Sequence, residues 1–165
     1  MTAAVLTISD SSFAGERPDA SGPAVCARLQ ELGWTTTLDV LPDDAARISA
    51  RLVELSGSTD AIFTTGGTGV AARDVTPEAT RAVIDREIPG LAEWMRLSGR
   101  QATKFAILSR GVAGHRGRTL IVNLPGSPKG AVQSLDAIMD VVPHVIDLLS
   151  GRTEHVQNPK LQSQG

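Results

Sequence analysis

The 165-residue chain contains no tyrosine, one cysteine, two tryptophans and three phenylalanines. Aromatic residues at 3% leave too little stacking surface for a binder of single-stranded nucleic acid. With Cys26 as the sole cysteine, an internal disulfide and any cysteine-based zinc cluster are excluded. Cys26 lies on the apolar side of a helical pattern and reads as a buried structural thiol. His115, His144 and His155 share no metal-ligand spacing and read as ordinary core or surface histidines. The formal net charge of -2 gives no global field towards DNA, RNA or an anionic membrane, so any anion must be held locally. No apolar run approaches the ~20 residues that span a bilayer, and no basic leader precedes the first apolar stretch. A cytoplasmic protein, with neither nucleic acid nor membrane as partner, is the expectation.

What is present is ordinary globular material, with 41% hydrophobic and 21% charged residues. Apolar, strand-like runs at 3–8, 34–40, 60–65, 105–109 and 119–124 alternate with segments of helical period. Val25, Leu29 and Leu32 form one helical stripe, with Gly33 placed to end it, and Ile48, Leu52 and Leu55 form another, with Gly57 beyond. Thr76-Pro77 and Ser127-Pro128 each set a hydroxyl before a proline, which predicts helix starts at about 77 and 128. The alternation predicts a three-layer α/β/α sandwich with a mainly parallel central sheet. The runs at 105–109 and 119–124, joined by RGVAGHRGR, are expected to pair as a hairpin that adds one antiparallel strand. Residues 1–151 read as a single domain without repeat or linker, and 152–165 as a polar tail.

The segment TTGGTGVAARD, residues 64–74, follows the strand expected at 60–65. Gly66, Gly67 and Gly69 allow positive φ and close approach to a ligand, and their N–H groups can form an anion-binding concavity. Thr65 and Thr68 add hydroxyls, Arg73 a cation for phosphate and Asp74 a carboxylate for Mg²⁺. Gly67-Thr68-Gly69-Val70-Ala71-Ala72 satisfies the G-x-G-x-x-A spacing of a dinucleotide-binding turn. That turn opens directly into a helix and is followed by an acid ~20 residues on, at the end of the next strand. Here Thr76-Pro77 delays the helix, and Asp85 and Glu87 fall in or just after it. A lysine of the G-x-x-x-x-G-K-[ST] phosphate loop is also missing, so a triphosphate is not held in the kinase or GTPase manner.

TTGGTG followed by RDVTPEAT resembles the signature of the molybdopterin adenylyltransferase family, the Mog and MoaB proteins of molybdenum cofactor biosynthesis. Ile8-Ser9-Asp10, Leu41-Pro42-Asp43-Asp44, Ile107-Leu108-Ser109-Arg110 and Asn123-Leu124-Pro125-Gly126-Ser127-Pro128-Lys129 are similar to the family's other blocks, in the family's order. The resemblance implies a homotrimer of α/β/α subunits that transfers AMP from ATP to the terminal phosphate of molybdopterin. It also implies a Mg²⁺ ion and handover of the adenylylated pterin to a molybdate-inserting protein. The family's two active aspartates match Asp43 and Asp74, the expected catalytic and metal-holding residues. Where the family often has Pro-Asp-Glu this chain has Pro42-Asp43-Asp44, so Asp44, alternatively the cap of a helix at 45, stays beside Asp43 as a candidate.

Adenylyl transfer between phosphates needs no protein nucleophile, and no Ser-His-Asp or Cys-His arrangement is evident. It needs two polyanions held in line and a divalent ion to neutralise the leaving pyrophosphate. Pro125, Gly126, Ser127 and Lys129 form a second candidate anion site, where a helix start faces a loop. Ser109, Arg110, Arg116 and Arg118 flank the connection between the strand pair, where they could grip the pterin or its phosphate; for Arg116 and Arg118 a solvated hairpin tip fits equally well. Ser9 and Asp10, at the end of the first strand, are expected to line the same cleft, whereas Ser11 and Ser12 fit a turn built on Asp/Ser hydrogen bonds equally well.

Overall fold

The computed structural model describes residues 1–152. Except for Arg152, the expected polar tail lies outside the described residues. Its first strand, β1 (Thr2–Ile8), is buried from Ala3 onward, and its two faces feed two different cores. Ala3 and Val5 join one core with Val25 and Leu29 of α2 (Ser21–Glu31); Ala4, Leu6 and Ile8 join the other. A strand covered on both sides is what an apolar run without alternation demands.

The remaining elements follow as β2 (Thr35–Leu41), α3 (Ala45–Leu55), β3 (Ala61–Thr65), α4 (Thr76–Arg81), β4 (Arg86–Glu87), α5 (Pro89–Gly99), β5 (Ala113–Arg116), β6 (Thr119–Leu124), α6 (Pro128–Ile138) and α7 (Val142–Leu149); the short α1 (Asp10–Phe13) lies between β1 and α2. The sheet order is β2-β1-β3-β6-β5-β4. β1 pairs in parallel with β2 and β3, and β3 with β6, while β5 pairs antiparallel with both β6 and β4. β5 is thus the strand that runs against all the others. Residues of α2, α5, α6 and α7 cover one face of the sheet, and Ile48, Leu52 and Ala79 of α3 and α4 cover the other, which is the expected three-layer sandwich. Among the described residues no helix is long and apolar enough to cross a membrane.

The expected strand at 105–109 is the main correction. Lys104–Leu108 is a 3₁₀ turn capped by Thr103, whose side chain accepts from the Phe105 N–H. Its side chains explain why the apolar run misleads: Phe105 is 63%, Ile107 60% and Leu108 50% exposed, so no core claims them. The hairpin partner of β6 lies further on, at Ala113–Arg116, within the segment read as the connecting loop. Thr76 does not cap α4 either, because its hydroxyl donates instead to the Gly66 carbonyl at 3.0 Å. Ser127 and Asp44 do cap, accepting from Gly130 N at 3.2 Å and Arg47 N at 2.9 Å. Gly33, at φ +83°, follows α2 as expected. Cys26 is buried, and burial pushes its thiol pKa up.

Register sets the site. Ile8 pairs with Leu41, Thr7 with Thr65, and Thr65 with Leu124, so β1, β2, β3 and β6 end side by side along one edge. The loops that leave this edge carry Ser9-Asp10, Pro42-Asp43, Gly66–Asp74 and Pro125–Ser127, which chain order keeps far apart. Beneath them Asn123 of β6 holds a buried network: its amide donates to Thr64 Oγ1 at 3.0 Å and Thr80 Oγ1 at 2.9 Å, and its Oδ1 accepts from Val112 N at 3.2 Å. Asn123→Ala leaves the Val112 N–H without its side-chain acceptor and opens a polar void. The expected loss is about 2 kcal/mol of stability, read by urea unfolding.

Candidate functional site

The glycine loop leaves a fully buried strand, β3, and must turn at once under the end of β1. Gly66 (φ +92°) and Gly67 (φ +63°) make that turn in the left-handed region. A Cβ on Gly66 would stand 2.3 Å from the Ile8 carbonyl, and one on Gly67 2.3 Å from Thr76 Oγ1. On the far side a Cβ on Gly126 would meet Gly66 Cα at 3.2 Å, so the loops after β3 and β6 touch through glycines.

The loop then closes on itself. Asp74 N donates to Ala71 O and Asp74 Oδ2 accepts from Ala71 N, each at 2.9 Å. Across the cleft Asp10 and Asp43 exchange bonds: Asp43 N donates to Asp10 Oδ1 at 2.9 Å, and Asp10 N to Asp43 Oδ2 at 3.1 Å. The Asp43 carboxylate reaches the glycine turn, since a Cβ on Gly67 would lie 3.2 Å from its Oδ1. Burial raises the pKa of Asp43, and the nearby Asp10 and Asp74 add to that rise; the bond from Asp10 N and the charge of Arg73 oppose it.

Two cavities adjoin here. One, of about 380 Å³, is lined by polar residues of all four loops, including Ser9, Asp10, Asp43, Arg73 and Asp74. The other, of about 470 Å³, runs between the loop, α5, the 3₁₀ turn and α6, and takes in Met95, Phe105, Ser109 and Pro125. Gly67, Asp74, Gly126 and Ser127 belong to both, so this is a cleft divided by a wall of small residues and one carboxylate. Among the described residues no group of three His, Cys, Asp or Glu side chains could hold a metal by itself. A divalent cation would therefore draw on one or two carboxylates together with phosphate oxygens, as Mg²⁺ commonly does with nucleotides. Asp43 and Asp74, both facing the polar cavity, fit that use. Asp44, committed to capping α3, does not line that cavity.

Most of the residues singled out by sequence meet at these cavities, but Arg116, whose Nη1 donates to Val83 O at 2.9 Å, and the exposed Arg118 line neither, and nor do Thr65, Lys129 and Arg110. Thr65 is buried and its hydroxyl shares a hydrogen bond with Ser21 Oγ at 2.8 Å. Lys129 is exposed on the first turn of α6 and lines neither cavity. Arg110 turns into the protein: Nε donates to Gly69 O at 2.7 Å, Nη2 to Asp74 O at 2.6 Å, and its guanidinium pairs with Glu78. That pairing holds the Glu78 carboxyl below its ordinary range.

Other residues of the cleft escaped the sequence reading. Arg17 and Asp19 line the polar cavity. Asp19 accepts from Thr7 Oγ1 at 2.7 Å and from Ser21 N and Gly22 N at 3.1 Å, tying the start of α2 to the end of β1. The signal was an acid two residues before Ser21-Gly22-Pro23, a helix-start pattern. In the apolar cavity Met95 and Arg96 come from α5, and Gln133 and Ser134 from α6, two helices in which the sequence pattern singled out no inner residue.

The family described as "Probable molybdopterin binding domain", of molybdenum cofactor biosynthesis, matches residues 4–144. A molybdopterin adenylyltransferase of Helicobacter pylori is 36% identical, over 96% of this chain and 93% of its own length. The solved structure of the molybdopterin biosynthesis enzyme MoaB from Thermus thermophilus is 49% identical, with a TM-score of 0.85 over 91% of this chain and 96% of that one. The molybdenum cofactor synthesis protein cinnamon of Drosophila melanogaster is 37% identical across the whole chain, which spans only 28% of its length. With the family model matching residues 4–144 and relatives 36% and 49% identical over nearly all of both chains, the chain belongs to the molybdopterin-binding family of molybdenum cofactor biosynthesis proteins.

Proposed function

We propose that this protein transfers AMP from ATP to the terminal phosphate of molybdopterin, releasing pyrophosphate. The observation that carries the reading is the shared wall: two cavities of different character meet at Gly67, Asp74, Gly126 and Ser127. The apolar cavity offers surface to a flat heterocycle, and the polar one offers Arg73, serines and glycine N–H groups to phosphates. In the transfer an oxygen of the pterin phosphate attacks the α-phosphorus of ATP as the bond to the β-phosphate's bridging oxygen breaks. The electron pair leaves with pyrophosphate. A Mg²⁺ ion held by Asp43 and Asp74 would neutralise that leaving group. The protein's own share is positioning: glycines admit the phosphates closely, and the start of α6 offers the Lys129 N–H, since Pro128 has none and the Gly130 and Ala131 N–H groups are bonded to Ser127.

The wider reading places the protein in the cytoplasm as a homotrimer that hands its product to a molybdate-inserting protein. Trp94 and Leu97 on α5, 53% and 61% exposed, supply an apolar surface for contact between copies. Sedimentation equilibrium is expected to return three times the chain mass, and Leu97→Asp to lower it; a monomeric wild type would remove the trimer.

The functional test is incubation with molybdopterin, ATP and Mg²⁺, followed by chromatography for the adenylylated pterin and assay of pyrophosphate. Both products are expected in equal amounts. Pterin binding with no ATP-dependent product would instead make this a binding-only relative.

A further inference from the structure

The loop that carries Arg73 and Asp74 is built from residues that hold themselves poorly: glycines at 66, 67 and 69, and an exposed tip, with Val70 73% exposed. Its own bonds close the turn from Ala71 to Asp74, and Thr76 ties the base of the loop, its N–H donating to Gly67 O at 3.1 Å and its hydroxyl to Gly66 O at 3.0 Å. Three further loop carbonyls, those of Thr68, Gly69 and Asp74, all accept from one residue, Arg110, through its backbone N–H at 2.8 Å and its guanidinium at 2.7 and 2.6 Å. The guanidinium is held in turn by Glu78 on α4. The chain around Arg110 is anchored from α5, where Arg96 Nη1 donates to Gly111 O at 3.1 Å and Ser109 O at 3.4 Å.

Arg110 lines neither cavity, so it does not reach a substrate lying in either of them. Its planar fork bridges Gly69 and Asp74, the two limbs of the loop, and fixes the span between them. We infer that Arg110, oriented by Glu78, is a positioning residue that holds Asp74 and Arg73 at the wall between the two cavities. The inference rests on the adenylyl-transfer reading for its kinetic consequence, though not for its structural one. Lysine cannot replace the fork, because an ammonium is a point charge that cannot bridge both carbonyls and the carboxylate in one plane.

Arg110→Lys, Glu78→Gln and the double variant test this, assayed below their melting temperatures. Misplacement of a reacting group by about 1 Å can cost ~10²-fold, so Arg110→Lys is expected to lower kcat about 10- to 100-fold with KM for ATP little changed. Glu78→Gln is expected to give a smaller loss in the same direction. The double variant should be no worse than Arg110→Lys alone, since one unit is being broken. Hydrogen exchange provides a readout independent of turnover: amides 68–74 are expected to exchange faster in both single variants while those of α2 stay protected. Normal kcat and unchanged loop exchange in Arg110→Lys would overturn the inference. So would additive losses, or exchange that rises throughout the molecule, which marks a general loss of stability. If wild type makes no adenylylated pterin the proposed function fails, and exchange at 68–74 still decides the clamp.

Discussion

Asp74→Asn is expected to leave the glycine loop folded and to lower pyrophosphate release about 10³-fold, the equivalent of ~4 kcal/mol in the barrier. The two halves of that result have separate causes. The turn depends on Asp74 Oδ2 accepting from Ala71 N at 2.9 Å, a bond that an amide oxygen makes equally well. The charge is what an amide lacks, and a Mg²⁺ ion between ATP and this wall needs anionic oxygens. Asp74→Ala removes both, so it is expected to show the same loss of turnover with faster amide exchange at the loop as well. Molybdopterin binding, read by calorimetry, should survive in Asp74→Asn. Turnover within a few-fold of wild type in that variant would take the metal away from Asp74.

The sequence made the ends of the parallel strands legible because each announces itself twice, by an apolar run and by the small polar residues that follow. Glycine at 66, 67 and 126 was readable as close approach, and the structure supplies the object approached: the Ile8 carbonyl, Thr76 Oγ1 and the Gly66 backbone. The choice between Asp43 and Asp44 was not readable, because adjacent residues on a turn point in different directions and only the start of α3 decides which one caps. Arg110 misled for a different reason. A basic residue near phosphate chemistry reads as a ligand, yet the carbonyls it binds belong to Thr68, Gly69 and Asp74, at least 36 residues earlier in the chain. The run at 105–109 failed because periodicity cannot tell a buried strand from apolar side chains left at the surface. Exposed Phe105, Ile107 and Leu108 are apolar for a reason outside the core, two of them at the apolar cavity.

Asp43→Asn carries the second large effect, and it moves activity and stability in opposite directions. Burial, with repulsion from Asp10 and Asp74, makes the ionised carboxylate of Asp43 less favourable in the folded chain than in the unfolded one. An acid whose folded pKa is raised contributes its stability fully below the ordinary aspartate value, and that contribution is lost as pH rises through the folded pKa. At neutral pH the wild type therefore holds a destabilising charge that asparagine does not, while the amide oxygen can still accept from Asp10 N. Asp43→Asn is expected to melt higher than wild type at pH 7, with the gap closing as pH falls below the ordinary aspartate range. Its AMP transfer is expected to drop about 10³-fold, since the second carboxylate for the cation is gone. Added Mg²⁺·ATP should narrow the stability gap by stabilising wild type more than the variant. Thermal unfolding at both pH values, with and without Mg²⁺·ATP, measures this. A variant less stable than wild type at pH 7 would mean that the anionic acceptor of the Asp10 N–H bond matters more to the fold than the burial of its charge; higher stability with lost turnover is the mark of a charge kept in the cleft for its chemistry.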